Sequence, residues 1–196
     1  MIVEGIMYVK NAKDFMEQNR KLRLLVTTSC PNRCPLCCNN SWNFDELPVV
    51  NRWNYDEIMF TGGEPLLFPA KLAAFAYAVK SIAKAEGSNP KLYVYTAICD
   101  YGKILGVLNE IDGIVLTPHK MSDIEDFITL NNLMNEGTAG LFDGKSMRLN
   151  LFPDIKKALP DNINLSKWQI KEMEWIKDCP VPKGEDFRRV SELWTM

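Results

Sequence analysis

Three closely spaced cysteines are the residues of this chain best suited to chemistry. Cys30, Cys34 and Cys37 follow one another in a C-x3-C-x2-C spacing. Cysteine thiolates are soft ligands that suit zinc or an iron–sulfur cluster. Three thiolates on a cubane cluster would leave its fourth iron without a protein ligand, and that open iron could bind a substrate. Cys38 stands directly after Cys37, which places it poorly to reach the same cluster.

A second motif, Gly62-Gly63-Glu64-Pro65, follows a short apolar segment that is typical of a strand. Glycines let the backbone approach a ligand closely, and Glu64 supplies an anion that can pair with an ammonium group. The cysteines also come directly after a predicted strand. Because functional residues of parallel α/β folds gather at the carboxyl ends of the strands, we expect both motifs to form one site.

The elements that must position these motifs alternate between strands and helices. Five strands are predicted over residues 22–28, 57–61, 91–96, 113–117 and 147–152. Helices are predicted over residues 69–86, 101–110, 122–135 and 166–178. This alternation predicts an α/β fold, an open partial parallel β/α barrel of about five to six strands. Residues 1–20 could add a further strand and helix.

Composition sets the broad class of the protein. The chain has 196 residues, 46% of them hydrophobic, and a net charge of −2, which suits one domain and argues against nucleic-acid binding. We expect a core over about residues 22–152 and a C-terminal helical extension over residues 153–196. No signal peptide or apolar run of about 20 residues is present, so we expect a soluble cytoplasmic protein with no membrane partner.

The two motifs, their order and separation, and the strand–helix rhythm over about residues 22–152 resemble the radical S-adenosylmethionine superfamily. The resemblance implies that Cys30, Cys34 and Cys37 hold a [4Fe–4S] cluster whose open iron chelates S-adenosylmethionine. It also implies that the turn at residues 62–65 contacts the methionyl amine, with Glu64 as its partner. The reduced cluster would cleave S-adenosylmethionine to a 5′-deoxyadenosyl radical, which abstracts hydrogen from a substrate.

Further cofactor contacts follow from the same resemblance and from position at strand ends. Leu36 precedes the third cysteine, where the family often has an aromatic residue near the adenine. Thr96 ends the third predicted strand, and Thr117 and His119 end the fourth. These side chains could touch ribose, carboxylate or substrate, although His119 could equally be an exposed loop histidine. No glycine-rich adenine motif follows the fifth strand.

The substrate stays open between two compact groups of the superfamily. Residues 37–42 and 58–67 look like enzymes that place a glycyl radical on a partner protein. Residues 115–120 resemble the 7-carboxy-7-deazaguanine synthases, which implies a small pterin substrate and magnesium. Either enzyme would need an electron donor such as flavodoxin or ferredoxin. A non-catalytic iron–sulfur or zinc-binding protein is the alternative of another class, but such sites normally use four ligands.

Overall fold

Seven parallel strands form one open sheet in the computed structural model, which describes residues 20–40, 42–136, 139–176 and 180–196. The strand order is β6-β5-β4-β3-β2-β1-β7, with β6 and β7 at the two edges. The strands are β1 Lys21–Thr27, β2 Glu57–Gly62, β3 Lys91–Thr96, β4 Gly113–Leu116, β5 Ser146–Leu151, β6 Gln169–Glu172 and β7 Glu185–Trp194. The α/β class and the open parallel arrangement of the prediction are confirmed.

In the described part of the chain, five α-helices pack on one face of this sheet. They are α1 Pro69–Ala85, α2 Tyr101–Leu108, α3 Asp123–Asn135, α4 Ala139–Phe142 and α5 Pro153–Ala158. Every one of them contributes to a single apolar core, through Leu72, Ile104, Phe127, Phe142 and Ile155 respectively. No helix in the described ranges combines the length and the apolar character needed to cross a membrane.

Alternate strand residues point into that core or away from it. Leu24, Phe60, Val94, Ile114 and Met147 pair in one row across five strands and are all buried among the helices. Because side chains alternate along a strand, their chain neighbours lie on the opposite face. We call this the second face; it carries the row that begins with Arg23, Met59 and Tyr93.

The C-terminal part of the chain differs from the prediction. The helix predicted over residues 166–178 is wrong where the structure describes it, because residues 169–172 form β6 beside β5. The helical extension over residues 153–196 is also wrong: after α5 it contains the strands β6 and β7. In β7 the buried residues Asp186, Val190 and Trp194 recur every fourth position, which fits a helix face as well as a strand.

Two predictions fall outside the described residues. The possible strand and helix over residues 1–20 lie there except for Arg20, and so does the last part of the predicted helix at residues 177–178. The five predicted strands of the core all match observed strands to within one residue at each end. The carboxyl ends of those strands carry both sequence motifs.

Candidate functional site

The Gly-Gly-Glu turn lies directly against the segment that leads into the cysteines. The Gly63 amide donates a hydrogen bond to the carbonyl of Thr27 at 2.6 Å, and the Glu64 amide donates to the carbonyl of Ser29 at 2.8 Å. Ser29 is the residue immediately before Cys30. Two backbone hydrogen bonds therefore hold the end of β2 against the start of the cysteine loop, residues 30–37.

Both glycines of this turn are required by close backbone contact. Gly62 has a φ of +127°, which side-chain-bearing residues rarely adopt. A Cβ on Gly62 would lie 2.2 Å from the carbonyl oxygen of Thr27, and one on Gly63 would lie 2.1 Å from that of Ser29. The sterics of this contact explain the Gly-Gly pair without any ligand.

Glu64 is almost completely buried, with 1% of its surface exposed, and protein donors surround its carboxylate. Its Oε1 accepts from the Leu66 amide at 3.0 Å and from the Thr96 hydroxyl at 2.7 Å, and its Oε2 accepts from the Ala97 amide at 2.8 Å. Burial raises the pKa of Glu64, while these three hydrogen bonds act in the opposite direction. The carboxylate thus joins the end of β2 to the end of β3. Its pairing with an ammonium group stays a prediction.

The strand-end threonines belong to the same hydrogen-bonded edge. The Thr96 hydroxyl, besides donating to Glu64, accepts from the Ile98 amide at 2.9 Å. The Thr117 amide donates to the Thr96 carbonyl at 2.8 Å, and the Thr117 hydroxyl accepts from the Asn150 amide group at 3.0 Å. Asn150 was not among the predicted site residues, although a polar residue inside the apolar fifth strand was a signal for it.

Local backbone hydrogen bonds shape the loop that carries the three free cysteines. The Cys37 amide donates to the Cys34 carbonyl at 3.1 Å, and the Asn40 amide donates to the Cys37 carbonyl at 2.9 Å. The three thiols are half-buried. Leu36 is 46% exposed, so its side chain has not been packed into the site.

Electrostatic interactions link the thiols to one another and to the neighbouring turns. Burial raises the pKa of Cys30, and the charges of Glu64, Cys37 and Cys34 add to this effect. Burial also raises the pKa of Cys34, to which Cys37 contributes. Within the described part of the chain, no three His, Cys, Asp or Glu side chains converge as ligands of a single metal ion.

The turn after β4 is held by the side chain of Asp123, the first residue of α3. The Asp123 Oδ2 atom accepts from the amides of His119 and Lys120, both at 2.9 Å, whereas Ser122 makes no side-chain cap to α3. Lys120 lowers and Asp123 raises the pKa of Cys34, so this turn lies within electrostatic reach of the cysteine loop.

Three aromatic rings meet beyond the ends of β4, β5 and β6. The Phe152 and Trp175 rings stack at 4.3 Å and 9°, and the His119 ring lies 5.6 Å from the first and 5.4 Å from the second. We call these residues the rim aromatic cluster. Burial lowers the pKa of His119, and its buried Nδ1 has no hydrogen-bond partner among the described residues. Trp175 was missed because its segment was predicted to be helical.

A polar cavity of about 240 Å³ opens beside the cysteine loop. Asn32 of that loop lines it, together with Asp100 and Lys103 from the start of α2 and Asp123 and Asp126 from the start of α3. The cavity, the cysteine loop and the Gly-Gly-Glu turn all lie at the carboxyl edge of the sheet.

Comparison with known proteins does not assign this site to a family. No protein-family model matches the chain, and no curated protein matches it.

Proposed function

We propose that this chain is a radical S-adenosylmethionine enzyme. The observation that supports the proposal is the pair of hydrogen bonds by which the turn at residues 62–64 is held against residues 27–29, just before Cys30. A three-cysteine loop and a Gly-Gly-Glu turn thereby share one edge of a parallel sheet, where chemistry collects in folds of this kind.

The donor set fits a [4Fe–4S] cluster with one open iron. Cys30, Cys34 and Cys37 would each bind a separate iron, so the thiols need not converge on a single point as they would around zinc. When bound, the cluster and S-adenosylmethionine together supply a 5′-deoxyadenosyl radical that abstracts hydrogen from the substrate. The thiols must lose their protons on binding, and their partial burial limits the access of water.

The remaining residues of the site would orient the cosubstrate. Glu64 fixes the shape of the Gly-Gly turn through its three hydrogen bonds. Leu36 has no aromatic ring that could stack on the adenine. The rim aromatic cluster offers such a ring surface, since Trp175 is 40% exposed and stacks on Phe152. The proposal implies a cytoplasmic enzyme reduced by flavodoxin or ferredoxin. Its hydrogen donor would be a glycyl residue of a partner protein or a small molecule.

Anaerobic reconstitution with iron and sulfide tests the proposal. With dithionite and S-adenosylmethionine, the reconstituted protein should form 5′-deoxyadenosine, and Cys30→Ala should abolish both the cluster absorbance and this product. Cys99→Ala is the control: Cys99 is a buried thiol outside the cysteine loop, whose Sγ lies 3.8 Å from the Ala97 carbonyl and which lines the polar cavity. It should leave the cluster absorbance unchanged.

Two results would contradict the proposal. A stable cluster that yields no 5′-deoxyadenosine would indicate an iron–sulfur electron carrier. Stoichiometric zinc in the purified protein, retained after reconstitution and lost in Cys30→Ala, would indicate a zinc-binding protein.

A further inference from the structure

Arg148 is a cation on the second face of the sheet. It lies on β5, where it pairs with Val115 on β4 and with Gln169 on β6. It is half-buried, and its guanidinium lies 4.7 Å from the centre of the Tyr93 ring on β3. Its Nε donates to the Ser146 hydroxyl at 3.1 Å. No carboxylate of the described residues lies within ion-pair distance of it.

Arg23, on the same face, is an arginine that does have a counter-ion. It also lies over a tyrosine ring, with 5.3 Å between its guanidinium and the centre of the Tyr95 ring. However, its Nε donates to the Glu185 carboxylate at 2.8 Å, and both side chains of this pair are largely buried. Among the described residues, one stacked arginine thus has a counter-ion and the other has none.

The guanidinium of Arg148, which has no carboxylate partner in the described part of the chain, is suited to bind an oxyanion. A partly buried charge is costly unless it is paired, which favours a ligand that supplies the missing counter-ion. The planar guanidinium matches a carboxylate or phosphate through two parallel hydrogen bonds. Tyr93 holds the group from one side and leaves its outer N–H donors for a ligand. Val115 and Gln169, the strand partners of Arg148, are uncharged. Lys171 of β6 on this face is exposed and pairs with Asn150 instead. Arg148 is thus the half-buried charge at this register position, which favours a singly charged carboxylate over a dianionic phosphate.

Arg148 lies on the strand and the face that lead to the carboxyl edge of the sheet. Asn150 lies two residues further along β5 on the same face, about 7 Å nearer the strand end, and its side chain donates to the Thr117 hydroxyl there. A ligand held on Arg148 would therefore extend along the second face toward the edge that carries the cysteine loop.

We propose that Arg148 binds the carboxylate of a small-molecule substrate on the second face of the sheet. This inference rests on the proposed function, because it makes the bound carboxylic acid the hydrogen donor of the radical reaction. It assigns the substrate to the small-molecule class rather than to a partner protein.

NMR of the arginine Nε–H groups in the full-length ¹⁵N-labelled protein tests the binding step. Benzoate should shift one Nε–H signal saturably, and this signal should be missing in Arg148→Lys. Saturation-transfer NMR of benzoate itself, which does not depend on the Arg148 signal, should show binding to Arg148→Lys and Arg148→Gln at least about tenfold weaker than to the wild type. Arg23→Lys, the matched control, should keep the wild-type affinity. Benzamide, which has the same shape without the charge, should produce no saturable shift.

Each alternative outcome overturns a defined part of the inference. Equal binding of benzamide, or no saturable shift with any probe, would exclude a carboxylate site at Arg148. Tighter binding of inorganic phosphate would exclude the carboxylate assignment. Displacement of benzoate by S-adenosylmethionine would show that the carboxylate belongs to the cosubstrate and not to a separate substrate.

Formation of 5′-deoxyadenosine without added substrate separates this inference from the proposed function. Arg23→Lys, the matched control, should retain that product at the wild-type level. If the product forms but benzoate does not bind, the carboxylate inference alone is wrong. If benzoate binds at Arg148 but the wild type forms no product, the proposed function is wrong. Arg148 would then be an anion-binding residue with no part in a radical reaction.

Discussion

Substitution of Glu64 by glutamine separates a structural role of this carboxylate from a role in ligand binding. The two oxygens of Glu64 accept three hydrogen bonds, from the Leu66 amide, the Thr96 hydroxyl and the Ala97 amide. A glutamine has the same shape but replaces one oxygen by an NH₂ group. If its oxygen keeps the bonds to Leu66 and Thr96, its NH₂ group faces the Ala97 amide, and two donors oppose each other.

The expected cost follows from these contacts. A buried donor left without an acceptor costs about 1–3 kcal/mol. The two remaining hydrogen bonds also weaken, because they are no longer assisted by charge. Removal of a buried negative charge offsets part of this loss. We therefore expect Glu64→Gln to lower the free energy of unfolding by about 2 kcal/mol.

Urea denaturation of the cluster-free protein, followed by circular dichroism, measures this change. Glu57→Gln, at the start of the strand β2 that leads into this turn, is the matched control: its carboxylate forms a partly exposed ion pair with Lys21 at 3.1 Å, so its loss should cost less than about 1 kcal/mol. If Glu64→Gln were as stable as the wild type without any ligand, the hydrogen bonds would carry no stability. The carboxylate would then be better explained as a group reserved for an ammonium.

Three further changes test other parts of the same edge. Gly63→Ala should cost about 2 kcal/mol or more in urea denaturation, since its Cβ would lie 2.1 Å from the Ser29 oxygen, whereas Gly106→Ala in α2 has room and should be neutral or stabilising. Because burial lowers the pKa of His119 from its ordinary 6.5, its contribution to stability should be present above that value and decline as the pH falls below it; a pH series of denaturation curves in which His119→Gln shows the same decline would refute this. Trp175→Ala should lower the unfolding free energy by about 1–2 kcal/mol through loss of its stacked contact, and an unchanged urea midpoint would refute the contact.

The strands of the core could be predicted because each is a short segment rich in apolar residues that ends in, or is followed by, glycine, proline or a polar residue. The edge strands β6 and β7 could not be predicted from the sequence. All four residues of β6 are exposed, so no pattern of burial marks it. In β7 the spacing of Asp186, Val190 and Trp194 is compatible with a helix and with a strand. Residues 169–172 form a strand because they pair with β5, and residues 185–194 because they pair with β1. Such pairing depends on the tertiary fold and not on the local sequence.

The candidate site shows a similar division. The rule that chemistry gathers at the carboxyl ends of parallel strands predicted that the Gly-Gly-Glu turn and the cysteines share one edge, and the turn does lie against the segment before Cys30. Their joint role as one site stays a prediction. The partners of Glu64 could not be predicted in this way. They depend on the β2–β3 register, which brings Thr96 and Ala97 beside its carboxylate. Trp175 was missed for a related reason, since the strand that delivers it to the rim is the unpredicted β6.

These contacts also decide which variants can inform on function. Gly62 and Gly63 are required by the close approach of two backbone segments, so a loss of activity on substituting either glycine would follow from misplacement of the cysteine loop alone. Glu64 stabilises the same turn and carries the same ambiguity. Cys30 differs from these residues, because its thiol is half-buried and its backbone contact, with Asn32, lies within the cysteine loop itself. The comparison of Cys30→Ala with Cys99→Ala is therefore the experiment that separates cluster chemistry from folding at this edge.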